Sequence, residues 1–433
     1  MQRRILVRAC AAMTLSAVSA TGATAQLRPL GDYGDADGTY RFGINIDGPG
    51  GTVSDRLNLK GGDTIPFDVF TIEERYPQYR DTSLVQTVLD YRGVEVFVTY
   101  QANDPSFRLR VPTFDDRTGT YALVYTGIDR QDSSDLAISD VFDAETDTGE
   151  DFQRRLYRAW VRVSPVDPLA GNPSSVQGVM ARGALDLTAG NSALETAGER
   201  NNSFMLGAQY RRVSAGRFDY DQIDLSSQRG YRLFEGKRAM LKLVGAGNLQ
   251  LTQGGGYAVA SQFGVGLEVP VVDGRWSLEP RIAYGLTADD KGVAGHAVNA
   301  ALASRFVIGN AGRARIVLGN MIGRFETLNS KLLLGYDANP GVKNTVFRNG
   351  LAAELPLTMR VGGRASSLRA SYMHTLFTGT DVYANQYHEV ALSWGIRRRE
   401  ESQRDLRDAL RLFVTGTKAG GYKAISAGVG ARF

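Results

Sequence analysis

The chain has 433 residues, with 50 Lys and Arg against 46 Asp and Glu, a formal net charge of +4 and a mean hydropathy of −0.22. After residue 25 there is no apolar run of about 18 residues, which excludes a bundle of membrane-spanning helices. The only cysteine is Cys10, so disulfides and thiolate metal sites are excluded from the rest of the chain.

Residues 1–25 have the composition of a secretory signal peptide. A start with three arginines is followed by the apolar stretch ACAAMTLSAVSA, and small residues precede a cleavage site predicted between Ala25 and Gln26. The apolar stretch is too short to cross a bilayer. The sequence therefore predicts an exported chain that loses Cys10, and nucleic acid is not expected as a partner.

Charge divides the rest of the chain into two parts. Residues 26–170 carry 15 basic and 25 acidic side chains, a net charge of −10, and residues 171–433 carry 4 + 10 − 3 = +11, because the signal contributes +3. The stretch DPLAGNPSSVQG (167–178) between them is rich in Pro, Gly and Ser and is interpreted as a linker. We therefore predict an acidic, β-rich domain over 26–170 and a second domain over 171–433.

The second domain alternates apolar residues with small or polar ones. In YAVASQFGVGLEV (257–269) and in WSLEPRIAYGL (276–286), every second residue is apolar almost without exception. Such segments are longer than ordinary strands and match tilted membrane strands of about 9–11 residues. The pattern predicts an all-β fold, an antiparallel transmembrane β-barrel with an apolar exterior.

Thirteen segments of this kind can be counted, and KLLLGY near residue 331 is a candidate for one more. A closed antiparallel barrel with both ends on one side needs an even number of strands, so 12 or 14 is expected. Besides 257–269, 276–286 and the last strand, the segments are 175–189, 202–213, 216–226, 238–251, 295–308, 312–326, 345–358, 366–378, 385–397 and 409–417.

These features together resemble those of Gram-negative outer-membrane β-barrel proteins. The chain ends on KAISAGVGARF, whose last strand resembles the signal that the barrel-assembly machinery of this class reads. The matching positions are Ile425, Ala427, Val429, Ala431 and Phe433. The resemblance implies an outer-membrane location, with membrane lipid and the assembly machinery as partners.

The acidic domain contains shorter strand patterns at 84–100, 107–111 and 120–127. Between residues 129 and 151 lie nine acidic residues and one arginine, and a solvated acidic loop is favoured there over a calcium site, because DAETDTGED lacks the glycine and the later glutamate of an EF-hand loop. An alternative is that the domain supplies further barrel strands.

Catalysis is not expected, although some outer-membrane hydrolases pair a histidine with a serine on a barrel strand. The histidines are His296, His374 and His388; Ser371 and Ser393 lie three and five residues from the nearest of them. Odd spacing puts the serine and the histidine on opposite faces of a strand. We expect no cofactor and no metal, and an outer-membrane hydrolase is the third and least favoured function.

The favoured function is a porin-like or export conduit whose basic lumen prefers an anionic solute or polysaccharide. Its lumen would be lined by Lys242, Arg281, Arg315, Arg348 and Arg369. Equally weighted is a narrow lumen in which these cations pair with Glu268, Glu279 and Glu354. The alternative function is an autotransporter-like or anchoring barrel that presents the N-terminal domain.

The hairpin over 366–397 makes a register prediction. If its loop is centred near Asp381, residues whose numbers sum to 762 face each other, which puts His374 opposite His388 and Leu368 opposite Trp394. The two imidazoles are expected at the lipid–water boundary.

Overall fold

A computed structural model describes residues 40–59, 69–115, 119–141, 146–188, 203–233, 239–252, 256–272, 274–290, 294–329, 337–397 and 408–432. The predicted signal peptide, the candidate strand near 331 and Phe433 lie outside the described residues. Within the described residues, no helix combines the length and the apolar character needed to span a bilayer.

The N-terminal part is a six-stranded antiparallel sheet with three helices. Its strands are β1 (Tyr40–Gly48), β2 (Gly51–Leu59), β3 (Leu84–Tyr91), β4 (Val94–Tyr100), β5 (Phe107–Arg110) and β6 (Ala122–Tyr125), in the order β2-β1-β3-β4-β5-β6. The helices are α1 (Val69–Arg75), α2 (Arg130–Val141) and α3 (Asp147–Val163). One face of the sheet and the helices share a core around Trp160, whose indole N–H donates to the carbonyl of Tyr91 at 3.0 Å.

One expectation and one alternative for this part were wrong. The acidic stretch is not a loop, because α2 and α3 occupy most of it; the Thr146 hydroxyl caps α3 by accepting the Gly149 N–H at 2.9 Å. Phe152, Leu156 and Trp160 recur every four residues on α3 and are buried, which is a helical signal. The sheet is also separate from the barrel, so these strands do not extend the barrel wall.

The second part is a closed antiparallel barrel of twelve strands, one of the two even numbers that were predicted. Its strands are β7 (Ser203–Ala215), β8 (Phe218–Arg232), β9 (Met240–Thr252), β10 (Tyr257–Val272), β11 (Trp276–Asp289), β12 (Ala294–Ala311), β13 (Ala314–Thr327), β14 (Lys343–Val361), β15 (Arg364–Gly379), β16 (Gln386–Arg397), β17 (Asp408–Ala419) and β18 (Tyr422–Arg432). The first strand pairs with the last, which closes the wall.

The alternation seen in the sequence separates the outside of the barrel from the inside. On β10, Phe263 and Val265 point outward and are 64% and 50% exposed, whereas their neighbours Gln262 and Glu268 point inward and are 0% exposed. Large apolar side chains cover the exterior of most strands. An apolar outside and a polar inside is the arrangement of a membrane barrel and the reverse of a soluble one.

The remaining segment predicted as a strand, 175–189, is not one. Residues 176–184 form helix α4 (Val176–Ala184), which lies inside the barrel, and the stretch 167–178 interpreted as a linker is buried there. Val176, Val179, Met180 and Ala184 follow helical spacing, and Ser175 caps the helix. Alternation was therefore the wrong period for this segment.

Candidate functional site: the occupied lumen

The two mouths of the barrel differ. The last residues of β7, β9, β11, β13, β15 and β17 lie at the mouth that the N-terminal part contacts, called here the domain mouth. The opposite mouth, where β7 begins and β18 ends, is called the chain-end mouth. Residues 164–188, called here the lumen segment, run into the barrel from the domain mouth.

Salt bridges and backbone hydrogen bonds fix the N-terminal part on the domain mouth. Arg92 pairs with Asp289 at 2.5 Å, and Arg217 in the β7–β8 turn pairs with Asp90 at 2.7 Å. The loop after β15 adds backbone bonds from Tyr383 N–H to the Val161 carbonyl at 2.9 Å and from Ala384 N–H to the Gly171 carbonyl at 2.7 Å. Removing one partner of a buried ion pair costs about 3–5 kcal/mol, so these contacts join the two parts firmly.

The lumen segment begins with a tight turn organised by Asp167. Its carboxylate accepts the N–H groups of Leu169 and Ala170 at 3.0 and 2.9 Å, and the Asn172 amide donates to the Asp167 carbonyl at 2.7 Å. Burial raises the pKa of Asp167 to about 6, against the lowering effect of the Ala170 N–H and of Arg92. The carbonyls of Pro168 and Leu169 then accept the N–H groups of Val176 and Gln177, which starts α4.

Helix α4 fits because small residues stand on the helix and on the wall where the two meet. A Cβ placed on Gly285 would lie 2.5 Å from Val176 Cγ1 and 3.0 Å from Met180 Sδ, and one placed on Gly183 would lie 1.9 Å from the Gln262 amide nitrogen. That amide nitrogen donates to the Val179 carbonyl at 3.2 Å. Glycine at these places permits helix and wall to approach closely.

Arginines of the barrel wall hold the deeper end of the lumen segment. Arg348 donates through Nε to the Leu185 carbonyl at 2.7 Å, and Arg281 donates to the Gly183 carbonyl. Leu187 Cδ1 would lie 3.0 Å from a Cβ on Gly319. The lumen segment is thus bonded to the wall along the length that the structure describes.

The five cations predicted to line the lumen all belong to inward-facing positions of the wall. Lys242 contacts Glu268 at 2.7 Å and Glu279 at 2.5 Å, and Arg281 lies 4.0 Å from Glu279. Arg348 pairs with Glu389 at 2.6 Å and Arg369 with Glu354 at 2.8 Å. Arg315 is half-buried and stands opposite Glu354 in the strand register. The cations and their acids therefore form ion-paired groups between wall strands.

Three further charged residues belong to these groups and were not singled out from the sequence. Arg305 contacts Glu279 at 3.1 Å, Arg411 contacts Glu354 at 3.2 Å, and Glu389 is the partner of Arg348. Each stands at an inward position of its strand, so alternation was the signal that could have identified them.

Beside α4 the lumen keeps a cavity of about 180 Å³. Arg182 and Asp186 of the lumen segment line it on one side, and Arg211, Asp224 and Gln228 of β7 and β8 line it on the other. Toward the domain mouth the lumen is closed by a hydrophobic cluster, which consists of Val166, Val213, Ala215, Phe218, Tyr220 and Tyr422.

His374 and His388 lie on the outer surface, whereas His296 is buried. His374 stands directly opposite His388, as predicted, and the whole register of that hairpin agrees with the predicted sum. Ser371 and Ser393 point inward and are 7% and 2% exposed, so no Ser–His pair forms on these strands. His296 is bonded to the Tyr284 hydroxyl and the Asn329 carbonyl. In the described part of the chain, no group of three or more His, Cys, Asp or Glu side chains is placed to hold a metal ion.

A closed twelve-stranded wall with an apolar outside and an ion-paired inside settles the architecture. The protein is a β-barrel of the outer-membrane type. No protein-family model matches the chain, and no curated protein matches it either.

Several solved structures are similar to this one. One is the β domain of the Bordetella autotransporter BrkA, with 13% identity and a TM-score of 0.39 over 54% of this chain and 99% of that one. Another is the translocator domain of the autotransporter NalP from Neisseria meningitidis, with 11% identity and a TM-score of 0.38 over 54% of this chain and 88% of that one. The KdgM porin is also similar, with 10% identity and a TM-score of 0.30 over 52% of this chain and 99% of that one.

Proposed function

We propose that this protein is an outer-membrane barrel that threads its own chain through its lumen and thereby presents the N-terminal domain on the cell surface. The signal peptide would export the chain, the barrel-assembly machinery would insert it, and the protein would act as an anchor and not as an enzyme. This is the autotransporter-like alternative from the sequence.

One observation carries the proposal. The N-terminal domain sits on the domain mouth, whereas β7 begins at the chain-end mouth, and the lumen segment runs from the domain mouth into the barrel. An even number of strands brings both ends of the wall to one mouth, and we assign that mouth to the periplasm, the side from which a barrel is inserted. The domain then lies outside the cell.

Thiol labelling tests the orientation. In a Cys10→Ala background, Ala102→Cys places one thiol in an exposed turn of the N-terminal domain, and Arg313→Cys places one in the β12–β13 turn at the chain-end mouth. A maleimide too large to cross the outer membrane should label Ala102→Cys on intact cells and Arg313→Cys only after permeabilisation. The opposite pattern would put the domain in the periplasm and refute surface presentation.

A conduit is the second candidate, and the charge of the inner wall favours it. Among the described strands, the buried inward-facing side chains include seven cations, namely Arg211, Lys242, Arg281, Arg305, Arg348, Arg369 and Arg411, and five acids, namely Glu268, Glu279, Asp289, Glu354 and Glu389. Excess positive charge in a pore favours anions. This conduit would open only if the lumen segment left the barrel.

We also propose that the last strand is the assembly signal. Ile425, Ala427, Val429 and Ala431 occupy the outward positions of β18, and Ile425 is 61% exposed, so an edge with this register could pair with the machinery before the barrel closes. Deleting Phe433 should sharply reduce the amount of protein in the outer membrane while the signal peptide is still removed. Unchanged outer-membrane levels of the deletion variant would refute this role.

A further inference from the structure

A row of polar side chains crosses the outer surface of the barrel, most of which is apolar. On six successive strands, from β12 to β17, directly paired outward positions are polar. The row consists of Ser304, Asn320, Asn349, His374, His388 and Lys418. Apolar rows run along both sides of its central part, for example Phe347 and Leu376 toward the domain mouth and Leu351 toward the chain-end mouth.

The centre of this polar row lies inside the apolar band. Asn349 is four residues from Thr345 at the polar rim of β14, and His374 is four residues from Thr378 on β15. Four residues correspond to about 13 Å along a strand. Strand β8 lies on the opposite side of the barrel, and Asp221 is at its polar rim. The outward residue four positions from Asp221 is Leu225, which is apolar.

The central side chains have hydrogen-bonding capacity that the described structure leaves unused. Among the described residues, no side-chain hydrogen bond is made by Asn320 or Asn349, and the Nε2 atom of His374, which is covered by neighbouring side chains, has no partner either. Hydrocarbon chains offer neither donors nor acceptors, so a polar group facing them is costly unless a partner satisfies it.

We infer that this face binds a second copy of the same barrel. Asn349 and His374 are directly paired on adjacent strands. A half-turn about an axis along the membrane normal, placed between these strands, brings Asn349 opposite the partner subunit's His374 and His374 opposite the partner subunit's Asn349. An amide and a neutral imidazole each have a donor and an acceptor, so the two pairs are reciprocal and complementary.

The neighbouring residues suit such an interface. Leu351 and Tyr372 are 44% exposed each and stand directly opposite one another beside the polar pair. Two convex barrels touch over only a few strands. Asn349 and His374 stand on β14 and β15, at the centre of such an interface. The same geometry keeps the domain mouths of both copies on one side of the membrane.

Site-specific crosslinking tests the interface. Two differently tagged copies in a Cys10→Ala background are expressed together, one with Asn349→Cys and the other with His374→Cys. Mild oxidation of intact outer membranes should give at least tenfold more mixed dimer than two copies that both carry Leu225→Cys, which is matched in depth on the far side. Equal yields in the two experiments would overturn the proposal.

A second measurement does not depend on cysteine geometry. The double variant Asn349→Leu/His374→Leu, checked for folding by its heat-dependent migration on gels, should have half the protein mass of the wild type in a mild detergent. A monomeric wild type would overturn the proposal. If that monomer carried lipopolysaccharide that the double variant had lost, the face would be a lipid-binding surface instead.

Discussion

His374 and His388 face each other across the β15–β16 hairpin, with their imidazole rings stacked 4.8 Å apart between centroids and inclined by 19°. The Tyr372 hydroxyl is 2.8 Å from Nδ1 of His388 and extends the group along the same surface. Both rings lie on the outward face of the barrel, while the serines of these strands point inward. The group thus extends from His388 at the edge of the apolar band to His374 and Tyr372 inside it.

This register predicts an intramolecular crosslink. In the Cys10→Ala background, the double variant His374→Cys/His388→Cys should form a disulfide under mild oxidation, because directly opposed Cβ atoms lie about 4.5–5.5 Å apart, close to disulfide geometry. Gel mobility before and after reduction, with protease cleavage between the strands, measures the bond.

The matched control is His374→Cys/Leu392→Cys, in which the second thiol is four residues further along β16. That pair should stay reduced. Crosslinking of both pairs to the same extent would mean that the hairpin slips or opens, and the register would then be wrong.

The hairpin register was predictable because its information is local. One buried face, one exposed face and one loop centre specify every pair between β15 and β16. The strand count was predictable only in part, because alternation gave thirteen segments and the closure of an antiparallel barrel required an even number. The position of α4 was not predictable by that rule, because a helix enclosed by the wall is apolar on several sides, and its Gly and Ala residues fit a strand pattern equally well.

The ion pairs of the lumen were predictable in part. Alternation put Lys242, Arg281 and Arg348 on the inner face, and the structure agrees. Which acid each would meet depends on strand order and on the lumen segment, since Arg348 bonds both Glu389 and the Leu185 carbonyl. A local pattern does not specify such partners, because Glu389 is 41 positions and Leu185 is 163 positions from Arg348 in the sequence.

The fit of α4 against the wall predicts a steric effect at Gly285. Gly285→Val should push Val176 and Met180 away and destabilise the occupied lumen by about 1–3 kcal/mol, the usual cost of overpacking. Thermal unfolding in detergent and protease sensitivity of residues 164–188 measure the change. Adding Val176→Ala should restore much of the loss, because it removes the nearest atoms.

Gly416→Val is the control for this substitution. Gly416 is also a strand glycine of the barrel, but a Cβ there would meet nothing within 4 Å. Its valine variant should behave like the wild type. If Gly416→Val and Gly285→Val were equally destabilising, strand glycines as such, and not the contact with α4, would explain the effect.

Asp167 predicts a pH dependence at the entrance of the lumen segment. Its pKa is raised from 3.8 to about 6 in the folded protein, mainly by burial, so the folded state binds the proton more tightly than the unfolded state. The stabilisation is fully present below about pH 3.8 and is lost as the pH rises through about 6. The difference amounts to about 3 kcal/mol at one pKa unit per 1.36 kcal/mol.

Comparison of the wild type with Asp167→Asn measures this contribution. The asparagine carbonyl can still accept the N–H groups of Leu169 and Ala170 but does not titrate. The difference in stability between the wild type and Asp167→Asn, followed by protease sensitivity of the lumen segment from pH 4 to pH 7.5, should change in favour of the variant as the pH rises. A constant difference across this range would show that Asp167 does not titrate there.

The last prediction concerns the lumen without its segment. The intact protein should conduct weakly in a planar bilayer, because the lumen segment and the cluster around Tyr220 fill the barrel near the domain mouth. Deleting residues 40–188 should open a pore with a preference for anions, since cations outnumber acids on the inner wall and Arg281 loses its bond to the Gly183 carbonyl.

Reversing charge with Arg281→Glu or Arg315→Glu should weaken the preference, whereas Arg324→Glu, on the outer face, should not. The preference should also fall with salt, because charges are screened over about 8 Å at physiological ionic strength. A deletion variant that inserts normally but conducts no better than the intact protein would leave anchoring as the only function of the barrel.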